Sequence, residues 1–195
     1  MEGHARSSPS LDAAVAQSQR GDVRAFERLY EDVQPRLLRY LSSLVGPDAA
    51  DVASETWLQV TRDLRRFRGT GDDFRGWVVR IGRNRALDHL RAASRRPSDA
   101  WDPATLPESG TSPDAASCSD EVMATRRALA LIARLPPDQA EAVLLRVVVG
   151  LDATAAAKVL GKRAGAVRMA TSRGLARLAA VLEEQGVTPA RRAAL

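Results

Sequence analysis

Residues 97–121, PSDAWDPATLPESGTSPDAASCSDE, restrict this chain more than any other stretch. They hold four prolines and six acidic residues, and no lysine or arginine. Proline removes the N–H donors that helices and sheets need. So few apolar side chains cannot offset the entropy lost on ordering the segment. The stretch therefore reads as an extended linker. It cuts a 195-residue chain into two pieces, each with room for one modest core.

Both pieces read as helical. Apolar residues make up 45% of the chain but aromatics only 4%, so the cores must be mainly Leu, Val and Ala. Ala, Leu and Arg also lead the helix propensity scale. Ser10 can cap a short helix over 11–19 that stops at Gly21. Phe26, Leu29, Tyr30 and Val33 then recur at helical spacing. Pro35 is expected to end that helix and open another. In the new helix Leu37, Leu38, Leu41, Leu44 and Val45 carry the stripe to Gly46-Pro47. Asp48 is expected to cap a third helix with Val52, Thr56, Val60, Leu64 and Phe67 on one side. Gly69 and Gly71 make a loop, and Asp72 or Asp73 starts a fourth helix on Phe74, Trp77, Val78 and Ile81. No alternating strand pattern interrupts this series.

After the linker, 122–135 reads as a helix on Val122, Leu129, Ile132 and Leu135, and Pro136-Pro137-Asp138 punctuates it. A helix over 140–149 follows, with Val143, Leu144, Val147 and Val148 as its apolar side and Gly150 as its end. Asp152 can cap a helix over 153–160, and Gly161 marks a tight turn. A last helix runs from about Arg163 to Glu184 on Val167, Leu175, Leu178 and Leu182. Two short helices joined by a glycine-containing turn make a helix-turn-helix. The expected fold is all-α: two small helical domains, 11–96 and 122–185, joined by the acidic flexible linker 97–121. A disordered lead, 1–10, and a flexible tail, 186–195, complete the chain.

Charge is unevenly placed. Residues 62–96 hold eleven arginines against four aspartates, while the whole chain nets only +5. The remainder is therefore slightly acidic. Phe67, Phe74 and Trp77 lie among those arginines. Guanidinium groups clamp phosphates and aromatic rings stack on bases, so this mixture suits a surface that tracks a nucleic-acid strand. An ordinary solvated helix face mixes basic residues with Glu at helical spacing instead. The acidic linker beside this region either covers the basic surface as a nucleic-acid mimic or serves as a solubilising spacer.

Other functions find no residues to carry them. No histidine stands beside a nucleophile signature, and no glycine loop is built to cradle phosphate. His4 and His89 are too few and scattered for a metal site and read as plain surface side chains. Cys118 stands alone, which excludes an internal disulfide. No apolar run is long enough to span a membrane, and MEGHARSSPS lacks an export signal, so a cytoplasmic protein is expected. Binding, with no cofactor, metal or catalysis, is the expected mode of action.

In a helix-turn-helix, the first half of the second helix reaches base edges. Here that part carries Arg168, Met169, Ser172 and Arg173 on one side. Arg168 either reads guanine bidentately or clamps a phosphate. Met169 either reads or packs. Gly165 and Gly174 each weaken the helix by about 1 kcal/mol relative to Ala, which points to a close approach at each or to a marginal helix. These residues alone still admit a free-standing helix-turn-helix regulator.

The order of segments resembles the extracytoplasmic-function (ECF) sigma factors, the two-domain class of the sigma-70 family. The resemblance rests on AFERLYEDVQPRLLRYLSSLVG, DVASETWLQV and FRGWVVRIGRNRALDHLRAASRRP in the first domain. In the second it rests on LPPDQAEAVLLRVVVGLDATAAAKVLGKRAGAVRMATSRGLARL. It implies that Asp51, Glu55 and Trp57 belong to the segment that docks on the β′ coiled coil of core RNA polymerase. It implies that residues 62–73 engage melting promoter DNA, and that Arg80, Arg83, Asn84 and Arg91 lie on the helix that meets the −10 element. Asn84 would be the base reader and the arginines would hold phosphates. Arg146, Arg168, Met169, Ser172 and Arg173 match positions facing the −35 element. The linker matches a segment that threads the polymerase active-site channel, and a helical anti-sigma protein is an implied partner. The chain departs from the family pattern at Ser54, at 152–157 and at Arg168-Met-Ala170.

Overall fold

The structure is a computed structural model that describes residues 11–95 and 119–184. It divides the chain into two compact units, with the boundary between Thr105 and Leu106. The expectations for the lead, for Ser10 as a cap, for Arg96 and for most of the linker lie outside the described residues, as does Cys118. Every described element is helical. No described helix is long and apolar enough to cross a membrane.

The first unit contains α1 (Leu11–Gln19), α2 (Val23–Val45), α3 (Ala49–Asp63) and α4 (Gly71–Ser94). Short 3-10 turns at Gly46–Asp48 and Leu64–Arg66 lie on either side of α3. The core keeps part of the stripe read from sequence: Leu29, Val33, Leu37 and Leu41 of α2 meet Val52 and Val60 of α3 and Phe74 and Val78 of α4, all nearly or fully buried, whereas Tyr30 is 39% exposed. Tyr40 is fully buried as well. Gly82 lets α4 cross closely, since a Cβ there would stand 2.9 Å from Leu37 Cδ1.

Three local expectations are corrected. First, α2 runs through Pro35 without ending. The proline forfeits one helical hydrogen bond, at roughly 3 kcal/mol. Pro35 and Glu31 are both exposed, so water can meet the orphaned Glu31 carbonyl, while burial of Val33 and Leu37 on the opposite side holds the helix together. Second, Asp48 makes no side-chain cap. Its Oδ2 lies 2.8 Å from His89 Nε2, which ties the start of α3 to α4 and gives His89 a partner. Third, Thr70 rather than Asp72 or Asp73 caps α4. Thr70 Oγ1 accepts from Asp73 N and the Asp73 carboxylate accepts from Thr70 N, a reciprocal capping box.

The second unit contains α5 (Ser119–Ala133), α6 (Pro137–Val143), α7 (Ala153–Leu160) and α8 (Ala164–Glu184), with a π turn at Leu144–Val148. Residues 119–121, expected in the linker, are already helical. Helix α6 begins three residues earlier than expected, because Pro137 suits a first turn. The π turn adds a residue to the helical register, with Val149 N donating to Leu144 O. That rotation buries Leu145 completely and leaves Val147 57% exposed, against the expected apolar side. Asp152 caps α7 by accepting from Ala155 N at 2.7 Å. Gly161 takes the left-handed conformation of the turn, φ 64°. Leu175 is exposed rather than buried. Gly174 occupies the core side instead, where a Cβ would stand 2.8 Å from Val143 Cγ2.

Candidate nucleic-acid interfaces

The arginines of 62–95 sort by what they touch. Arg75 donates through Nε and Nη2 to Asp32 and through Nη1 to Asp72, and its side chain is only 13% exposed. It joins α4 to α2 and is structural. Arg85 donates to Gln59 at 3.0 Å, joining α4 to α3. Arg68 turns back onto the carbonyls of Arg65 and Phe67. Arg91 pairs with Asp88 one turn away, both largely exposed. Arg62, Arg65, Arg66 and Arg80 are exposed, and none of the four pairs with a described carboxylate. The basic stretch is therefore part scaffold and part open surface.

Two of those open arginines border a recess of about 330 Å³. It lies between the end of α3, the turn after it, and the middle of α4. Gln59, Asp63, Arg66, Phe67, Trp77, Arg80, Ile81 and Asn84 line it. The aromatic wall is a packed cluster of three rings. Phe67 and Trp77 rings lie 5.0 Å apart at 34°, and Phe74 packs behind both at 5.6 and 5.8 Å. Gln19 of α1 fixes the turn by donating to the carbonyls of Leu64 and Phe67, at 3.0 and 2.8 Å. The Asn84 amide is exposed and makes no hydrogen bond to a described residue. It sits one helical turn from Arg80, so both point to the same opening. An aromatic wall, a carboxylate, two amides and two guanidinium groups can together receive a flat, hydrogen-bonding ring beside a phosphate.

The structure thus brings Arg80 and Asn84 into one recess. Arg83 is half-buried and Arg91 lies two turns further along α4, and neither lines it. Gln59 and Asp63, not singled out in the sequence, form its other wall. Their spacing from Thr56 (i+3, i+7) follows the side of α3 that meets α4, but the partner helix lies too far along the chain for that spacing to reveal it.

On α3, Asp51 and Glu55 are exposed. Leu58 shares their face by helical spacing and is 57% exposed. Trp57 lies elsewhere: it is 7% exposed, packs against Phe26 and Tyr30 at 5.8 and 4.8 Å, and donates Nε1–H to Gln34 Oε1 at 2.6 Å. It locks α3 to α2.

In the second unit, Arg168, Met169, Ser172 and Arg173 are all exposed on α8. Val167 and Gly174 hold the opposite side against the unit's core. Arg146 is set apart: its Nη1 donates to the Leu151 carbonyl, bracing the turn between the π segment and α7. Lys162 Nζ reaches Asp138 Oδ1 at 2.6 Å, bracing the turn before α8.

Comparison with known proteins agrees with this layout. Sigma-70 region 2 matches residues 29–96, which include α3, the recess and α4, and Sigma-70, region 4 matches residues 125–178. The ECF RNA polymerase sigma factor SigD of Mycobacterium tuberculosis is 37% identical over 179 residues, covering 86% of this chain and 82% of SigD. ShbA of Streptomyces griseus is 34% identical, covering 89% of this chain and 96% of that protein. Among solved structures, CnrH in complex with the cytosolic domain of CnrY is 26% identical with a TM-score of 0.61, covering 89% of this chain and 98% of CnrH. RpoE of Bartonella quintana, solved with the anti-sigma factor NepR, shares the fold at 22% identity and a TM-score of 0.63, covering 83% of this chain and 98% of RpoE. The chain belongs to the extracytoplasmic-function RNA polymerase sigma factors of the sigma-70 family, the subunits that direct core polymerase to promoter-specific transcription initiation.

Proposed function

We propose that the recess on the first unit captures one unstacked base of the −10 element during promoter opening. The observation that carries this is the convergence of Asn84, Arg80, Asp63 and the Phe67–Trp77 wall on one cavity. Extruding a base costs a few kcal/mol, and stacking plus hydrogen bonds to its edge offset that cost. Asn84 and Gln59 supply both donors and acceptors, and Asp63 accepts from an exocyclic amine. Arg80 and Arg66 hold the phosphates beside the base, with Arg62 and Arg65 extending the basic surface. Arg83, beside the recess, and Arg91, two turns further along α4, contact the nucleic-acid backbone.

Asp51 and Glu55, with Leu58 on the same face, dock on the β′ coiled coil, and Trp57 positions that face from behind. The 122–185 domain places Arg168, Met169, Ser172 and Arg173 on −35 duplex, while Arg146 supports the turn that aims them. The protein works in the cytoplasm by binding alone, with no cofactor and no catalytic step. An anti-sigma protein is a further partner, in keeping with the complexes in which CnrH and RpoE were solved.

Run-off transcription with core polymerase and genomic promoter fragments tests this reading. Sequence-specific transcripts are expected only when both proteins are present, and Asn84→Ala is expected to alter preference at one −10 position. Loss of −10 preference at no position would overturn the capture site.

A further inference from the structure

Among the side chains that open α8, only Arg168 can hydrogen-bond. The first two turns of the helix read Ala164, Gly165, Ala166, Val167, Arg168, Met169 and Ala170. Gly165, Met169 and Arg173 follow one another at i, i+4 and i+8, so they form a line along the exposed face. Ser172 lies beside that line, and Arg168 lies roughly a quarter-turn around the helix from Met169.

Met169 is 54% exposed, which is costly for an apolar side chain with no partner. Packing does not account for it. The buried side of α8 is formed by Val167 and Gly174, and Thr171 turns its hydroxyl onto the Val167 carbonyl at 2.9 Å. The two glycines of α8 differ in the same sense. A Cβ at Gly174 would press on Val143, Leu135 and Gln139, whereas a Cβ at Gly165 would meet no atom within 4 Å. Nothing inside the protein requires Gly165 to be bare. Exposed Arg163, Arg168 and Arg173 surround this apolar patch, and none of the three pairs with a described carboxylate. No acidic residue appears on α8 before Glu183. An apolar centre ringed by arginines fits duplex DNA better than an ordinary protein partner.

In the major groove, the base-edge feature that an apolar side chain reads is the C5-methyl of thymine. A long, unbranched and polarisable thioether adapts well to it. We propose that Met169, standing over the bare turn left by Gly165 and Ala166, selects thymine in the −35 element by packing on its C5-methyl group. Arg168 and Arg173 hold the flanking phosphates. This rests on α8 being the −35 helix, and it predicts A·T-directed discrimination carried by shape rather than by bidentate hydrogen bonds.

The test uses holoenzyme assembled from core polymerase and the full chain, on a promoter mapped by run-off transcription. Each −35 thymidine is replaced in turn by deoxyuridine, which keeps base pairing and removes only the methyl. Initiation is expected to fall about fourfold at one or two positions, the factor for leaving one methyl-sized group unburied. With Met169→Ala, thymidine and deoxyuridine templates are expected to initiate equally. The exposed position makes the variant tolerable to the fold, and a thermal melt checks that. Sensitivity to scrambled −35 base pairs without any sensitivity to deoxyuridine would overturn the role of Met169. So would deoxyuridine sensitivity that persists in Met169→Ala. Indifference to scrambling would instead overturn the −35 assignment of α8 itself. Retained promoter behaviour with loss of binding to another protein would show that the patch serves a protein partner.

Discussion

In the first unit, side chains from two helices and the turn between them converge on a concave recess, with an aromatic wall, two amides and a carboxylate lining it. In the second, Met169, Ser172 and Arg173 stand out from one convex helix face with no enclosure. The difference matches what each proposed ligand offers. An extruded base exposes two π-faces and its pairing edge, so it must be surrounded to recover the stacking it lost. A paired base offers only a groove edge, and a protruding helix reaches that best. Construction follows the same division. The recess depends on Phe67, Phe74 and Trp77, whereas α8 rests on Val143, Val167 and a glycine.

The largest expected effect breaks the aromatic side of this comparison. Phe74 is 1% exposed and touches both rings of the recess wall. Phe74→Ala is expected to cost about 3–5 kcal/mol, removing the unfolding transition of the first unit from its normal range and leaving that of the second in place. Urea unfolding followed by two-domain NMR signals measures this. Equal destabilisation of both units would show that their cores are not separate.

Asn84→Ala sharpens the concave side. Because Asn84 is exposed and makes no described hydrogen bond, stability should change by less than about 0.5 kcal/mol. Discrimination at one −10 position should fall by about 1–3 kcal/mol, the worth of a good amide–base contact. Open-complex formation on promoters carrying each base at each −10 position provides the measurement. A uniform loss at all positions would reassign Asn84 to the backbone.

How much of this was legible in the sequence depends on range. The cap at Asp152, the left-handed Gly161 and the stripe from Leu29 to Leu41 are decided within a few residues, and local pattern identified them. Pro35 reads locally as a helix end, but its cost is outweighed by burial of residues on the far side of the same helix. The π turn was invisible because one added residue leaves composition unchanged while exchanging Val147 for Leu145 in the core. Asp48 looked like a cap because its competing partner, His89, lies on another helix. The recess shows the same limit. Arg80 and Asn84 share a helix and are grouped by the family resemblance, but Gln59, Asp63 and the bracing Gln19 reach it only through tertiary packing. The family resemblance groups Trp57 with Asp51 and Glu55, yet helical rotation turns it inward.

The glycines of α8 sharpen the convex side with smaller, opposite effects. Gly174→Ala gains about 1 kcal/mol of helix propensity but forces a methyl against the stiff side chain of Val143, for an overpacking cost of about 1–3 kcal/mol. Net destabilisation of about 1 kcal/mol is expected. Gly165→Ala meets open space and is expected to stabilise the second unit by about 0.5–1 kcal/mol. Thermal melts of the two variants should therefore move in opposite directions, and a shared direction would contradict the packing described for α8.

The smallest effect concerns Arg168. It lies to the side of the Met169 line rather than on it, which favours a phosphate over a base edge as its contact. A base-reading arginine would cost about 1–3 kcal/mol at one −35 position when removed. A phosphate-holding arginine contributes roughly 1 kcal/mol or less, in a salt-dependent way, without regard to sequence. Arg168→Ala is thus expected to weaken initiation about equally on all −35 variants and to lower the salt slope of promoter binding by about 1. Measuring that slope with holoenzyme on matched and scrambled −35 duplexes separates the two cases. A loss confined to one base pair would move Arg168 onto the reading line beside Met169 and make the convex face more polar than its exposed side chains suggest.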